Sequence, residues 1–90
     1  MSNKRDLKRI INYITSDLFA ECMAASLYGS NSNSEEINAL LSSIVTIRDN
    51  YIRRISHIEP GMPVKLYFKD LKEKLNKETN EIIDHINNLY

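Results

Sequence analysis

The stretch Ile44-Val45-Thr46-Ile47-Arg48-Asp49-Asn50-Tyr51-Ile52-Arg53-Arg54-Ile55-Ser56-His57-Ile58 decides the fold. Its isoleucines, valine and threonine prefer strands, so composition alone points toward a β reading. The spacing points the other way. Extended toward the N-terminus, the apolar positions run Ile37, Leu40, Leu41, Ile44, Ile47, Tyr51, Ile52, Ile55 and Ile58. Steps of three and four gather on one side of a helix, whereas a strand would send alternate residues to opposite faces. The segment is also longer than an ordinary strand.

Both glycines and both prolines of the chain lie in the two breaks that flank this segment, Gly29-Ser30-Asn31-Ser32-Asn33-Ser34 and Glu59-Pro60-Gly61-Met62-Pro63. Such clusters punctuate helices. Before the first break, Leu7, Ile10, Ile11, Ile14, Leu18, Cys22 and Ala25 form a second helical stripe. After the second, Val64, Tyr67, Phe68, Leu71, Leu75, Ile82, Ile83, Ile86 and Leu89 form a third. Local signals sharpen the ends. Asn3 with Asp6 suits a helix start, and Gly29 suits a left-handed residue just past a helix end. Ser32-Asn33-Ser34-Glu35 reads as a capping box. Glu59 is pushed from helical geometry by Pro60, and Pro63 fits a first helical turn, where its missing N–H costs little.

The reading is all-α: helices over about 3–28, 33–58 and 63–89 in one domain spanning residues 1–90, without internal repeats. Each helix is about 25 residues, roughly 38 Å long, and short loops make neighbours antiparallel. An up-down-up antiparallel three-helix bundle is expected. Ninety residues suffice for one small core. A single cysteine, Cys22, excludes an intrachain disulfide framework and favours a cytoplasmic setting. The basic start is not followed by a long apolar run, because Asn12, Thr15, Ser16 and Asp17 interrupt it, so neither a signal peptide nor a membrane span is expected.

The chain has zero net charge, but the expected topology sorts that charge along the bundle. One end gathers Lys4, Arg5, Lys8, Arg9, Arg48, Arg53, Arg54, Lys65, Lys69, Lys72 and Lys74 against Asp6, Asp49, Glu59, Asp70 and Glu73, a net of +6. The other gathers Asp17, Glu21, Glu35, Glu36, Glu78, Glu81 and Asp84 against Lys77, a net of −6. Acids favour helix starts and bases favour helix ends, which accounts for helix 2. Helices 1 and 3 break that rule. The basic end, with Lys4, Arg5, Lys8, Arg9, Arg53, Arg54, Lys65 and Lys69, is therefore a candidate for an anionic ligand or nucleic acid. Without an aromatic stacking platform, nucleic acid is the less favoured partner.

Three charged residues fall within the apolar stripes: Glu21, Arg48 and Glu78. Each is expected to point inward or toward an interface, with Arg48 pairing with Glu78 or Glu21 to hold helix register, or else the charges are expected to snorkel out at the bundle's edge. The sharper alternative is a carboxylate metal site built on Glu21 and Glu78 with Glu81 or His85 nearby. Metal-binding bundles use Glu and His three residues apart, whereas Glu81 and His85 are four apart, so no metal ligand or cofactor is assigned. Neither a nucleophile with its base nor a glycine-rich phosphate loop is recognisable, and the chain is not read as an enzyme. Cys22 reads as an inert buried thiol, and His57 and His85 as polar surface.

Helix 1 changes character along its back. Arg5, Arg9, Asn12 and Ser16 occupy it first, then Phe19, Ala20, Met23 and Leu27. A helix apolar on both sides is normally covered on both sides. Val45 broadens the face of helix 2, and Ala20, Ala24 and Ser26 permit close helix approach. The function expected from the sequence is protein interaction through the Phe19 to Leu27 surface, as a homodimer or as a small subunit of another protein.

Overall fold

A computed structural model describes residues 4–29, 33–58 and 60–89. It is an all-α three-helix bundle made of α1 (Lys4–Tyr28), α2 (Ser34–Ser56) and α3 (Val64–Asn87). The body is a rod of 48 × 18 × 18 Å. The isoleucine-rich segment is helical throughout Ser34–Ser56, so periodicity outweighs β preference. Asn3, Ser32 and Glu59, to which capping and stopping roles fall in the sequence reading, lie outside the described residues.

The start of α2 differs from the expected capping box. Asn33 is the cap, and its side-chain oxygen accepts from the Glu35 N–H at 2.8 Å and the Glu36 N–H at 3.4 Å. An asparagine side chain reaches these free amides from an extended backbone, φ −126° and ψ 130°. Glu35 and Glu36 then sit where the helix dipole favours negative charge. α2 stops at Ser56, earlier than Ile58, with the His57 N–H bonded to the Arg53 carbonyl. Pro63 stands at the cap of α3 rather than inside its first turn, and its carbonyl accepts the Tyr67 N–H at 2.9 Å. In the turn before it, Gly61 has φ +85°, a left-handed conformation that glycine adopts without steric cost.

The core forms two clusters. One joins Leu18, Cys22 and Ala25 of α1 to Ile37, Leu40 and Ile44 of α2 and to Ile82, Ile86 and Leu89 at the end of the chain. The other joins Leu7 and Ile11 to Tyr51 and Ile55 and to Leu71 and Leu75. Ile14 and Ile47 pack against both and make the core continuous. α1 and α2 approach each other most closely, and α3 stands further from both. Side-chain size is consistent with this. Besides Leu7, Ile11 and Leu18, α1 offers the small residues Thr15, Cys22 and Ala25 to the core, whereas α3 offers Leu71, Leu75, Ile82 and Ile86 with Thr79 alone small.

Two threonines occupy core positions that the apolar count omits. The Thr15 hydroxyl donates to the Ile11 carbonyl at 2.7 Å, and Thr79 donates to Asn76 at 3.1 Å, so neither buried hydroxyl is orphaned. Conversely Ile10, Val64 and Ile83, assigned to the stripes, are exposed. Thr79 completes the four-residue step from Leu75, while Ile83 is about 100° around the helix from Ile82. Position on the helix prevails over residue type.

Candidate functional site

α1 keeps one side in the core and presents its other side to solvent. Phe19 is 39% exposed, Met23 42% and Leu27 72%, and Ala20 is exposed between them. Four-residue steps place Phe19, Met23 and Leu27 in a row that drifts across the back of the helix, about 40° per step. The Phe19 end of the row enters a groove between α1 and α2 that is also lined by Thr15, Ser16, Ile44, Val45 and Arg48. Val45 is half-buried, so the apolar surface of α1 continues onto α2. Ser26 donates to the Met23 carbonyl at 2.7 Å, which folds its hydroxyl back on the helix. The result is an uncovered, mostly apolar strip.

The three stripe charges line three different grooves. Arg48 lies between α1 and α2, Glu21 lies between α1 and α3 with Asp17 and Ile83, and Glu78 lies between α2 and α3 with Glu81, Asp84 and His85. Glu21 and Arg48 are exposed rather than inward. Arg48 pairs with its neighbour Asp49 at 3.3 Å, an exposed contact of little energetic weight. A three-helix bundle has three edges. A residue on the flank of an apolar stripe reaches an edge, so spacing alone did not bring these charges together. Among the described residues, no group of three or more His, Cys, Asp and Glu side chains is placed to hold a metal ion.

Glu78 has the most unusual setting of the three. Its Oε2 is buried without a hydrogen-bond partner, and its carboxylate acts on Tyr51, the largest fully buried side chain. Burial first, and then Glu78, push the Tyr51 phenol above its ordinary value of 10.0, while Arg54 acts in the opposite sense. The Arg54 guanidinium sits over the Tyr51 ring at 5.0 Å. Burial also raises the Cys22 thiol above 9.0, which keeps it protonated and poorly nucleophilic. The sequence reading missed the Tyr51 and Glu78 pairing. Axial level gave no signal for it, since counting outward from the Pro60-Gly61 turn leaves the two positions about eight residues, roughly 12 Å, apart along the rod.

These shifts predict an alkaline limb of stability. With folded pKa values raised, the stabilisation is complete below the ordinary values, 9.0 for Cys22 and 10.0 for Tyr51, and is lost as pH rises past them. Urea titrations across this range should show falling stability, with a shallower fall above pH 10 in Tyr51→Phe. An identical slope in that variant would remove Tyr51 as a cause.

The basic residues lie mostly on the surface. Lys4, Arg5, Arg9, Arg53, Lys65 and Lys69 are exposed, while Lys8 and Arg54 are half-buried. The Tyr67 hydroxyl donates to the Arg54 carbonyl at 2.9 Å and brings the end of α2 beside the start of α3. That bond also satisfies a carbonyl freed where α2 ends. No described helix is long and apolar enough to cross a membrane. Compared with protein-family models, with curated proteins and with solved structures, the chain matches none.

Proposed function

We propose that this chain is a small cytoplasmic interaction protein that self-associates as a homodimer through Phe19, Ala20, Met23 and Leu27. The observation that carries the proposal is the persistent exposure of that row in a folded core: an aromatic, a methionine and a leucine stand uncovered on one helix face. Their neighbours on the opposite side of α1, Leu18, Cys22 and Ala25, are already buried against α2 and α3. The row is therefore surplus to the core, and aromatic and methionine side chains are the types enriched at protein interfaces.

The proposal takes the three helices as one up-down-up, antiparallel domain. Core composition supports this, because the later halves of α1 and α3 share a cluster with the first half of α2, and their earlier halves share one with its second half. In that arrangement the charge ends of +6 and −6 are real features of the surface.

Sedimentation equilibrium of Phe19→Glu tests the proposal. A carboxylate at the centre of an apolar interface should weaken association by at least about 30-fold, the equivalent of about 2 kcal/mol. Circular dichroism should show unchanged helix content, since Phe19 is not part of the core. An unaltered association constant would move the interface away from α1.

A further inference from the structure

We infer that the partner copy lies antiparallel on the back of α1, with the two-fold axis passing close to Phe19 and Ala20. The inference rests on the self-association proposed above and specifies its geometry. At 100° per residue, Arg5, Arg9, Asn12, Ser16, Ala20, Met23 and Leu27 share the side of α1 that faces away from the core, with Phe19 at its margin. The first half of this strip is basic and polar, and the second half is apolar.

Charge decides between the two symmetric ways of laying one copy on another. In a parallel pair every residue of the strip lies beside its own copy, so Arg5 and Arg9 confront the partner's Arg5 and Arg9. Like charges juxtaposed in this way penalise the arrangement. In an antiparallel pair centred at Phe19 and Ala20, Arg9 lies about 15 Å along the axis from the centre. At a similar distance on the other side is the start of α2, with Glu35 and Glu36 in its first turn, because Ala25 shares a cluster with Ile37. Each copy then sets its basic segment near the other's acidic helix start. The contact is isologous and forms twice.

The centre of this pair also fits sterically. Phe19 lies over the partner's Ala20, and Met23 over the partner's Ser16, so large residues meet small ones across the axis. Ala20 lets the two backbones approach, and Val45 flanks the contact where the groove between α1 and α2 holds Phe19. Association between opposite charges weakens in salt, whereas a parallel pair would strengthen as its repulsion is screened.

Two single-cysteine additions test the geometry, each in the full chain, where Cys22 is fully buried. Ala20 and Asn12 are both exposed on this strip, and Ala20→Cys and Asn12→Cys would be oxidised mildly under native conditions and scored for disulfide-linked dimer. Ala20→Cys, near the axis, should cross-link with its own copy. Asn12→Cys should not, because the antiparallel arrangement holds its two copies roughly 22 Å apart along the axis. Sedimentation equilibrium on the unmodified chain should give a dissociation constant that rises with salt.

Cross-linking of Asn12→Cys as readily as Ala20→Cys would overturn the antiparallel arrangement and leave self-association standing. A dimer by sedimentation with no Ala20→Cys cross-link would place the axis elsewhere and also overturn it. A monomer at every concentration, with neither variant linked, would remove self-association itself.

Discussion

Replacing Tyr51 by alanine should remove a large share of this protein's stability. Tyr51 is 1% exposed and is the largest of the fully buried side chains, packed with Leu7, Ile11, Ile55, Leu71 and Leu75. That cluster draws on all three helices, so the void would open where they meet. Truncating a buried aromatic residue costs about 3–5 kcal/mol, and a small domain has only about 5–15 kcal/mol in total. The loss extends beyond the ring. Arg54 loses the aromatic face beneath it, and Glu78 loses the hydroxyl it acts on. Urea unfolding followed by circular dichroism should show the midpoint fall steeply. Tyr51→Phe should keep most of the packing and lose much less. A midpoint for Tyr51→Ala within 1 kcal/mol of wild type, on the scale that makes core truncations severe, would mean that Tyr51 is not the keystone of its cluster.

The second large effect is expected at Gly29. A left-handed conformation past the end of α1 is the usual reason for a glycine there, but Gly61 is the only glycine with positive φ among the described residues. The reason at Gly29 is space. A Cβ on Gly29 would collide with the carbonyl oxygens of Leu89 and Ala25, both backbone atoms that cannot rotate away. The Gly29 N–H meanwhile donates to the Ala25 carbonyl at 2.8 Å. Gly29→Ala should therefore cost about 1–3 kcal/mol by overpacking. The damage should concentrate where the end of the chain docks, because Leu89 is itself buried in the cluster it would have to leave. Hydrogen exchange offers a local readout: the Asn88 and Leu89 amides, bonded to the Asp84 and Ile86 carbonyls, should lose protection before the middle of α3. Uniform loss along α3, or none, would contradict a local clash.

The helices were legible because three long segments repeat apolar residues at helical spacing between two clusters of glycine, proline and small polar residues. Helix ends were less legible. Asn33 is the cap of α2, and nothing in the letters Ser-Asn-Ser distinguishes which oxygen will meet the free amides. Thr15 and Thr79 were core positions under polar names, recoverable from periodicity because a threonine can return its hydroxyl to its own helix. The candidate site was legible in part. The row from Phe19 to Leu27 follows from the helical period alone, but the placement of Glu21, Arg48 and Glu78 depends on how three helices turn toward one another. A single helix's period cannot specify that rotation, and all three charges ended in separate grooves.

The uncovered apolar row on α1 is the centre of this account, and the molar mass of the unmodified chain in solution tests it most directly. Sedimentation equilibrium across the micromolar range should show the mass climb from 10.5 kDa toward twice that value as concentration rises. A mass that stays at 10.5 kDa up to the highest concentration would contradict the reading of the Phe19 to Leu27 row as a surface for a second copy.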